Sequence, residues 1–289
     1  MPDLTPFLVT GFALGAIYAL AGLGIVVLYR ATGELNFAFG ALAAASAMVT
    51  WQAHEWGLHI WLACGVGIIA ATVISGLYGA LVSAKVAHRT DVIKAVATLG
   101  LALIILGLAY WIWGDSPRRL RLPLRALNTE VFGVRVTGAR LVAISLCLIA
   151  AIGITALLTK TRMGLQMRAL ADTRDLSALI GIDVERVTLL AWVGSGLLAG
   201  VAGILLGALV RLDPGVLTFM VVPSLAAAIL GGLRSLWLTL LGGLAIGMLE
   251  AIATPFQTIA PYRSLAPFIV AIAVLMLLPA SAFRSERAN

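Results

Sequence analysis

Charge is scarce in this 289-residue chain: Asp, Glu, Lys and Arg together make up 11% of it, against roughly 25% in a soluble domain. Apolar residues make up 61% and mean hydropathy is +1.05, which excludes an ordinary water-soluble fold. Cysteine is also scarce. Cys64 and Cys147 both lie inside apolar runs, where they read as small buried hydrophobes with no redox or disulfide role. Basic residues are missing before Arg30, so the N-terminus lacks the charged region of a secretory signal peptide and the first apolar run is kept as a span. Of the three histidines, His54 and His59 stand five apart in the run HEWGLH. A zinc-binding HExxH pair is four apart and faces one way on a helix, so no metal site is expected. All three histidines fall in expected loops and acids are nearly missing from the apolar runs. No catalytic acid, base or nucleophile is therefore placed at membrane depth.

What is present is a series of continuous apolar runs, several reaching the ~20 residues a helix needs to cross a bilayer. Inside lipid every backbone polar group must be satisfied internally, which leaves helices or a closed barrel. The runs do not alternate at period two, so helices are expected. The fold class is an all-α polytopic membrane protein with eight or nine transmembrane or partly re-entrant helices. Spans are expected at 7–29, 36–50, 60–83, 92–113, 141–159, 188–210, 216–230, 236–253 and 265–280, the second and seventh being short. Trp51, Trp56 and Trp61, with Trp111 and Trp113, stand where an interfacial aromatic belt belongs. The net charge of +7 is spread over loops between spans, which suits anionic lipid headgroups and not nucleic acid.

Residues 30–45, RATGELNFAFGALAAA, resemble residues 211–228, RLDPGVLTFMVVPSLAAA. The matches are Arg30/Arg211, Gly33/Gly215, Leu35/Leu217, Phe37/Phe219 and Leu42/Leu225. This divides the chain into a first helical half (1–113), a linking span (141–159) and a second half (188–280). An odd linker inverts one half relative to the other. In inverted-repeat transporters, paired short or Gly/Pro-broken segments mark the substrate path. Here those are 31–50, opened by Thr32-Gly33, and 212–232, broken by Pro214, Pro223 and Gly231-Gly232. Candidate path residues are Asn36, Phe37, Phe39, Gly40, Thr218, Phe219 and Glu250. Helix capping is the plainer role for Asn36 and Thr218, and packing for the phenylalanines. Glu250 is the one acid in an expected span, though it lies about one turn from an interface. Gly11 and Gly15, Gly243 and Gly247, and Gly196, Gly200, Gly203 and Gly207 recur at helical spacing and predict close helix packing.

Between the linking span and the second half lies a charged island, residues 160–187, with TRMGLQMRALADTRDLSALIGIDVERV at 161–187. Met163, Met167 and Leu170 make an apolar stripe at helical spacing, with Arg162 and Arg168 off it. Asp172 is placed to cap a second short helix, with Arg174 and Asp175 in its first turn and Leu176, Leu179 and Ile180 as its apolar face. Gly181 followed by Ile182 is the pattern of a Schellman stop, and Asp183 caps the next span. A basic polar face would suit a lipid surface. The mixed charges here favour docking in a protein groove. No GxxxxGK[ST] loop exists, since Lys85, Lys94 and Lys160 follow Ala, Ile and Thr; ATP, if used, is hydrolysed on another chain.

These motifs resemble the shorter, H-type permease subunit of branched-chain amino-acid ABC importers: GAIYALAGLGIVVLYRATGELNFAFG (15–40), the 161–187 island and LAAAILGGLRSLWLTLLGGLAIGMLEA (225–251). The resemblance implies an inner-membrane permease moving a small apolar amino acid inward. Related permeases carry urea, short amides or aromatic carboxylates. An ion-coupled carrier would want ionisable groups at depth, of which only Glu250 is a candidate. The resemblance also implies a second, M-type permease chain, an external binding protein and two cytoplasmic ATP-binding subunits. ATP and Mg would sit on those subunits, with no cofactor on this chain. The island would hold the ATPase-coupling residues: Arg162, Gly164, Arg168, Asp172, Arg174, Asp175, Leu176, Leu179 and Gly181. With the island cytoplasmic, the N-terminus falls outside and the C-terminus inside, which gives twelve basic residues inside and eight outside. The family usually has His at the position of Phe39, which leaves the exact cargo open.

Overall fold

A computed structural model of the chain describes residues 5–116, 118–124, 128–131, 134–172, 174–255 and 265–277. Arg125, Arg263, Arg284 and Arg287, counted in the charge bias above, lie outside the described residues, as do the last three residues of the expected ninth span. The helices are α1 (Thr5–Thr32), α2 (Phe39–Glu55), α3 (Ile60–Tyr78), α4 (Ala84–Val86), α5 (Asp91–Trp113), α6 (Gly138–Lys160), α7 (Arg162–Asp172), α8 (Arg174–Leu179), α9 (Val184–Leu209), α10 (Pro214–Phe219), α11 (Val221–Leu230), α12 (Leu236–Ala253) and α13 (Ala266–Leu277). A π-helical turn, Gly79–Ser83, joins α3 to α4. The only sheet among the described residues is a hairpin of β1 (Thr129–Val131) and β2 (Val134–Val136).

Among the described residues, six helical stretches are long and apolar enough to cross a membrane: Pro6–Thr32, Ile60–Val86, Asp91–Trp113, Gly138–Lys160, Val184–Leu209 and Leu236–Ala253. The two expected short segments are indeed short. Helix α2 has 17 residues, about 25 Å of helix, less than a ~30 Å hydrocarbon layer. The seventh is broken into α10 and α11. Pro214 takes the first turn of α10, where its missing N–H costs nothing, and the Asp213 carboxylate accepts from Val216 N at 2.8 Å. At the other end Gly232 (φ 61°) turns the chain out of α11.

Helix α2 runs further than expected, to Glu55, so His54 lies in its last turn and not in a loop. Its Nδ1 is 3.1 Å from Leu58 O. Ala-rich segments read poorly for termini because alanine is the best helix former and gives no stop signal.

The chain divides into two compact units, each built from segments far apart in the sequence. One comprises 1–26, 124–155 and 222–289, the other 27–123 and 156–221. In the first unit α1 and α12 interlock through glycine. A Cβ on Gly15 would fall 2.8 Å from Gly243 O, and one on Gly11 would fall 2.6 Å from the Ala251 Cβ. In the second unit α9 packs on α2 and α3 through its glycine face. Gly196 meets Ser75, Gly200 meets Ile68, Gly203 meets the Ala43 carbonyl, and Gly207 meets Ala47. Small residues bring backbones this close, which is how helices associate where apolar burial gives little drive. Two hydroxyls tie the same seam: Ser46 Oγ donates to Gly200 O (3.0 Å) and Ser75 Oγ to Trp192 O (2.6 Å).

The tryptophans split into two groups. Trp56, Trp61 and Trp111 are exposed, as a headgroup belt requires. Trp51 lies under the Arg118 guanidinium at 4.6 Å, and Trp113 Nε1 donates to Gln52 Oε1 (2.9 Å). Arg118 also pairs antiparallel with Leu212, which latches it to the chain between α9 and α10.

Candidate functional site

The charged island folds as two consecutive helices with opposite roles. In α7, Met167 and Leu170 are buried, with Met163 half-buried, so the expected stripe is an inward one. Gly164 lies against the backbone of Leu157 and Leu158. A side chain there would push α7 off the end of α6. Arg162 and Arg168 are exposed. In α8 the apolar side chains point away from the chain: Leu176 and Ile180 are exposed and Leu179 is 83% exposed. The residue turned inward is Ser177, at 2%.

The ends of α8 are fixed by local chemistry. Gly181 takes φ 85°. Its N–H donates to Ala178 O (3.1 Å), and that of Ile182 donates to Ser177 O (3.0 Å), the paired bonds of a Schellman stop. Asp183 Oδ1 then accepts from Arg186 N (3.0 Å) and starts α9. Asp172 is the last residue of α7, and Arg174 and Asp175 open α8. Their side chains, and so the expected cap and first-turn charges, lie outside the described residues.

The other expected residues fall in the second unit, apart from Glu250. Asn36 is buried. Its Oδ1 accepts from Ala38 N (3.0 Å), an Asx turn before α2, while its Nδ2 has no partner. Asn36 therefore closes the turn before α2 and does not cap the helix, whose N-cap is Ala38 with no side-chain cap bond. Thr218 Oγ1 donates to Pro214 O (2.7 Å) inside α10, a structural use. Gly40 packs against the Thr218 carbonyl, so the two broken segments meet at these positions. Phe39 is buried, Phe37 half-buried and Phe219 71% exposed, which scatters the three rings across very different surroundings. Glu250, in the first unit, is half-buried and accepts from Tyr18 Oη at 2.8 Å.

Sequence reasoning missed a buried polar seam in the second unit. Glu34, just past the Thr32-Gly33 break, is 1% exposed and accepts from Ser83 Oγ at 2.9 and 3.1 Å. Ser83 closes the π-turn. At the start of that turn a Cβ on Gly79 would fall 2.7 Å from the Trp192 side chain, and the Tyr78 and Trp192 rings pack at 4.7 Å. Tyr78 Oη, Trp192 Nε1, Thr188 Oγ1 and Ser195 Oγ are all buried without a partner. Thr188, Trp192 and Ser195 stand at i, i+4 and i+7 on α9, a spacing that was available as a signal. No group of three or more His, Cys, Asp or Glu placed to hold a metal occurs among the described residues.

The chain matches known proteins along nearly its whole length. A family model described as the branched-chain amino acid transport system / permease component covers residues 7–276. The high-affinity branched-chain amino acid transport system permease protein LivH of Escherichia coli K12 is 28% identical over 93% of this chain and 92% of that one. A probable LivH of Methanocaldococcus jannaschii is 29% identical over 91% and 87%. BraD of Pseudomonas aeruginosa, a permease of the same description, is 26% identical over 96% of both.

Proposed function

The chain belongs to the permease component family of branched-chain amino acid transport systems, and we propose that its cargo is a branched-chain or similarly small apolar amino acid moved inward by ATP spent on partner subunits. The observation that carries the coupling part is α8. It presents Leu176, Leu179 and Ile180 outward from a charged segment, as an anchor seeking a groove does. The cargo rests on the relatives' printed names.

The assembly proposed is this chain, a second permease chain, two cytoplasmic ATP-binding subunits holding ATP and Mg, and an external binding protein. The end bearing α8 faces the cytoplasm, with the N-terminus outside. Arg162, Arg168, Arg174 and Asp175 are the charged residues that fix the register of docking, while Gly164 and Gly181 set the position of the anchor. Cargo passes where α2 and α10 meet, with the Asn36 amide N–H as a donor on that path. A conformational change follows only because the ATP-binding subunits distinguish two states of the permease; contact alone shifts nothing.

The test is Leu179→Glu in the reconstituted transporter. A charge forced into an apolar groove costs several kcal/mol, so ATP-driven leucine uptake falls at least tenfold while the chain still inserts. Unchanged uptake with a normal yield of assembled complex removes the coupling role.

A further inference from the structure

Helix α3 does not end the span it begins. With the π-turn and α4 it forms one apolar stretch, Ile60–Val86, and Gly79–Ser83 is where that stretch gives up the α-helical register. A π-turn bonds residue i to i+5, so it holds one residue more than an α-turn; such turns are rare and gather at functional sites. Winding it into α-helix would add one helical step to everything beyond it, about 100° of rotation and about 1.5 Å of advance.

Both ends of the turn are held by neighbours within the second unit. At its start Gly79 lies against the Trp192 side chain of α9, and Ser75, one turn earlier, donates to Trp192 O at 2.6 Å. At its end the buried Ser83 donates to the Glu34 carboxylate at 2.9 and 3.1 Å. Glu34 has a fixed place in the chain. Gly33 (φ 72°) turns the chain at the end of α1, the Glu34 N–H donates to Thr32 Oγ1 at 3.1 Å, and Asn36 closes the turn that follows. Between the two held ends, Ala80, Leu81 and Val82 are exposed, so the residues that would rewind carry little packing. From Trp192 the chain leads back along α9 to Asp183 and α8; from Glu34 it leads on to Asn36.

We propose that this π-turn is a two-state hinge between the ATP-coupling anchor and the cargo path. In the state of this structure Ser83 is latched to Glu34. When the ATP-binding subunits move α8 and the start of α9, Trp192 shifts against Gly79 and the turn winds into α-helix. Ser83 is then carried off Glu34, which frees the turn bearing Asn36. Coupling between two sites needs an element with two arrangements that both sites bias, and the extra residue supplies it. The inference rests on the coupling role of α8 proposed above.

The experiment uses the assembled transporter in nanodiscs, made free of cysteine by Cys64→Ala and Cys147→Ala. Pulsed electron paramagnetic resonance reads the distance between nitroxides at Ile69→Cys and Lys85→Cys. Both positions are exposed, one on each side of the turn, and stand roughly 24 Å apart along the helix. Trapping the ATP-binding subunits with vanadate moves that distance by about 3 Å or more, as one helical step requires. Ser83→Ala opens the latch, so without nucleotide the shifted distance gains about tenfold in population, the equivalent of one hydrogen bond; Ser83→Thr restores the original ratio. Deleting the exposed Ala80 removes the extra residue and leaves Ser83 facing Glu34 in a continuous helix. That variant assembles, holds one distance with or without vanadate, and loses ATP-driven leucine uptake.

A distance that vanadate does not move, in a transporter that takes up leucine, overturns the hinge and leaves the coupling role of α8 intact. Unchanged uptake by the assembled Ala80 deletion also overturns it. Should the deletion fail to assemble, Ser83→Ala decides, and no gain of the shifted distance overturns the hinge. Unchanged uptake by Leu179→Glu, with the distance still shifting, keeps the hinge and removes α8 as its driver.

Discussion

Glu34 carries a carboxylate at 1% exposure in a chain with only 13 acids. Burying such a group is tolerated when donors meet it, and Ser83 Oγ lies within hydrogen-bond range of both its oxygens. Ser83→Ala removes that hydroxyl. We expect a loss of about 1–3 kcal/mol, read as a lower midpoint of thermal unfolding in detergent, whereas Ser83→Thr, which keeps the hydroxyl, recovers most of it. Gly203 makes a second residue-scale case. Its Cα faces the Ala43 carbonyl so closely that any side chain displaces backbone. Gly203→Val therefore costs about 1–3 kcal/mol or more by overpacking and lowers the yield of folded chain, whereas Gly194→Ala, which meets open space, leaves the yield unchanged.

Helices, not residues, decide how the island works. Its two helices differ in which side of the apolar pattern faces the chain: α7 buries Met167 and Leu170, while α8 exposes Leu179 and buries Ser177. Cysteine placed at Leu179 is expected to react with a membrane-impermeant maleimide at least tenfold faster than cysteine at Ser177, measured on the purified chain. Equal rates would show that α8 rolls on its axis. The stops of this element were readable beforehand, because Gly181 and Asp183 are chemically unambiguous as C′ and N-cap residues. Of the seam formed by Tyr78, Thr188, Trp192 and Ser195, only the shared face of the three α9 residues was signalled by their spacing; its partner was not. Polar residues within an apolar run signal nothing more until the helix they face is known, and Glu34 hides in a short turn that reads as a loop. The length of α2 was misjudged for a related reason: Trp51 and His54 suggested an interface, and the helix continues through them.

Across the whole molecule the order of apolar runs was legible because lipid permits so few solutions. The compact units were not: each combines segments far apart in the chain, and hydropathy says nothing about which spans associate. Glycine spacing came closer. The faces of Gly11/Gly15 and Gly243/Gly247 do meet, and so do those of α9 with α2 and α3. A prediction at this scale concerns orientation. With the α8 end in the cytoplasm, Leu179→Cys in intact cells resists an external impermeant maleimide and reacts only after the membrane is opened. On the same proposed orientation the junction of α2 and α3, which holds Trp56, is external, and Trp56→Cys is expected to react from outside without permeabilisation.

The reversal at Gly181 and Ile182, followed at once by Asp183, has a mechanical meaning. A six-residue helix with loose ends would absorb a push by fraying. Here both bonds of the stop are made, and the next helix begins two residues later. Force applied at Leu179 is delivered with little slack to the first turns of α9, and so reaches the long rod that carries Trp192.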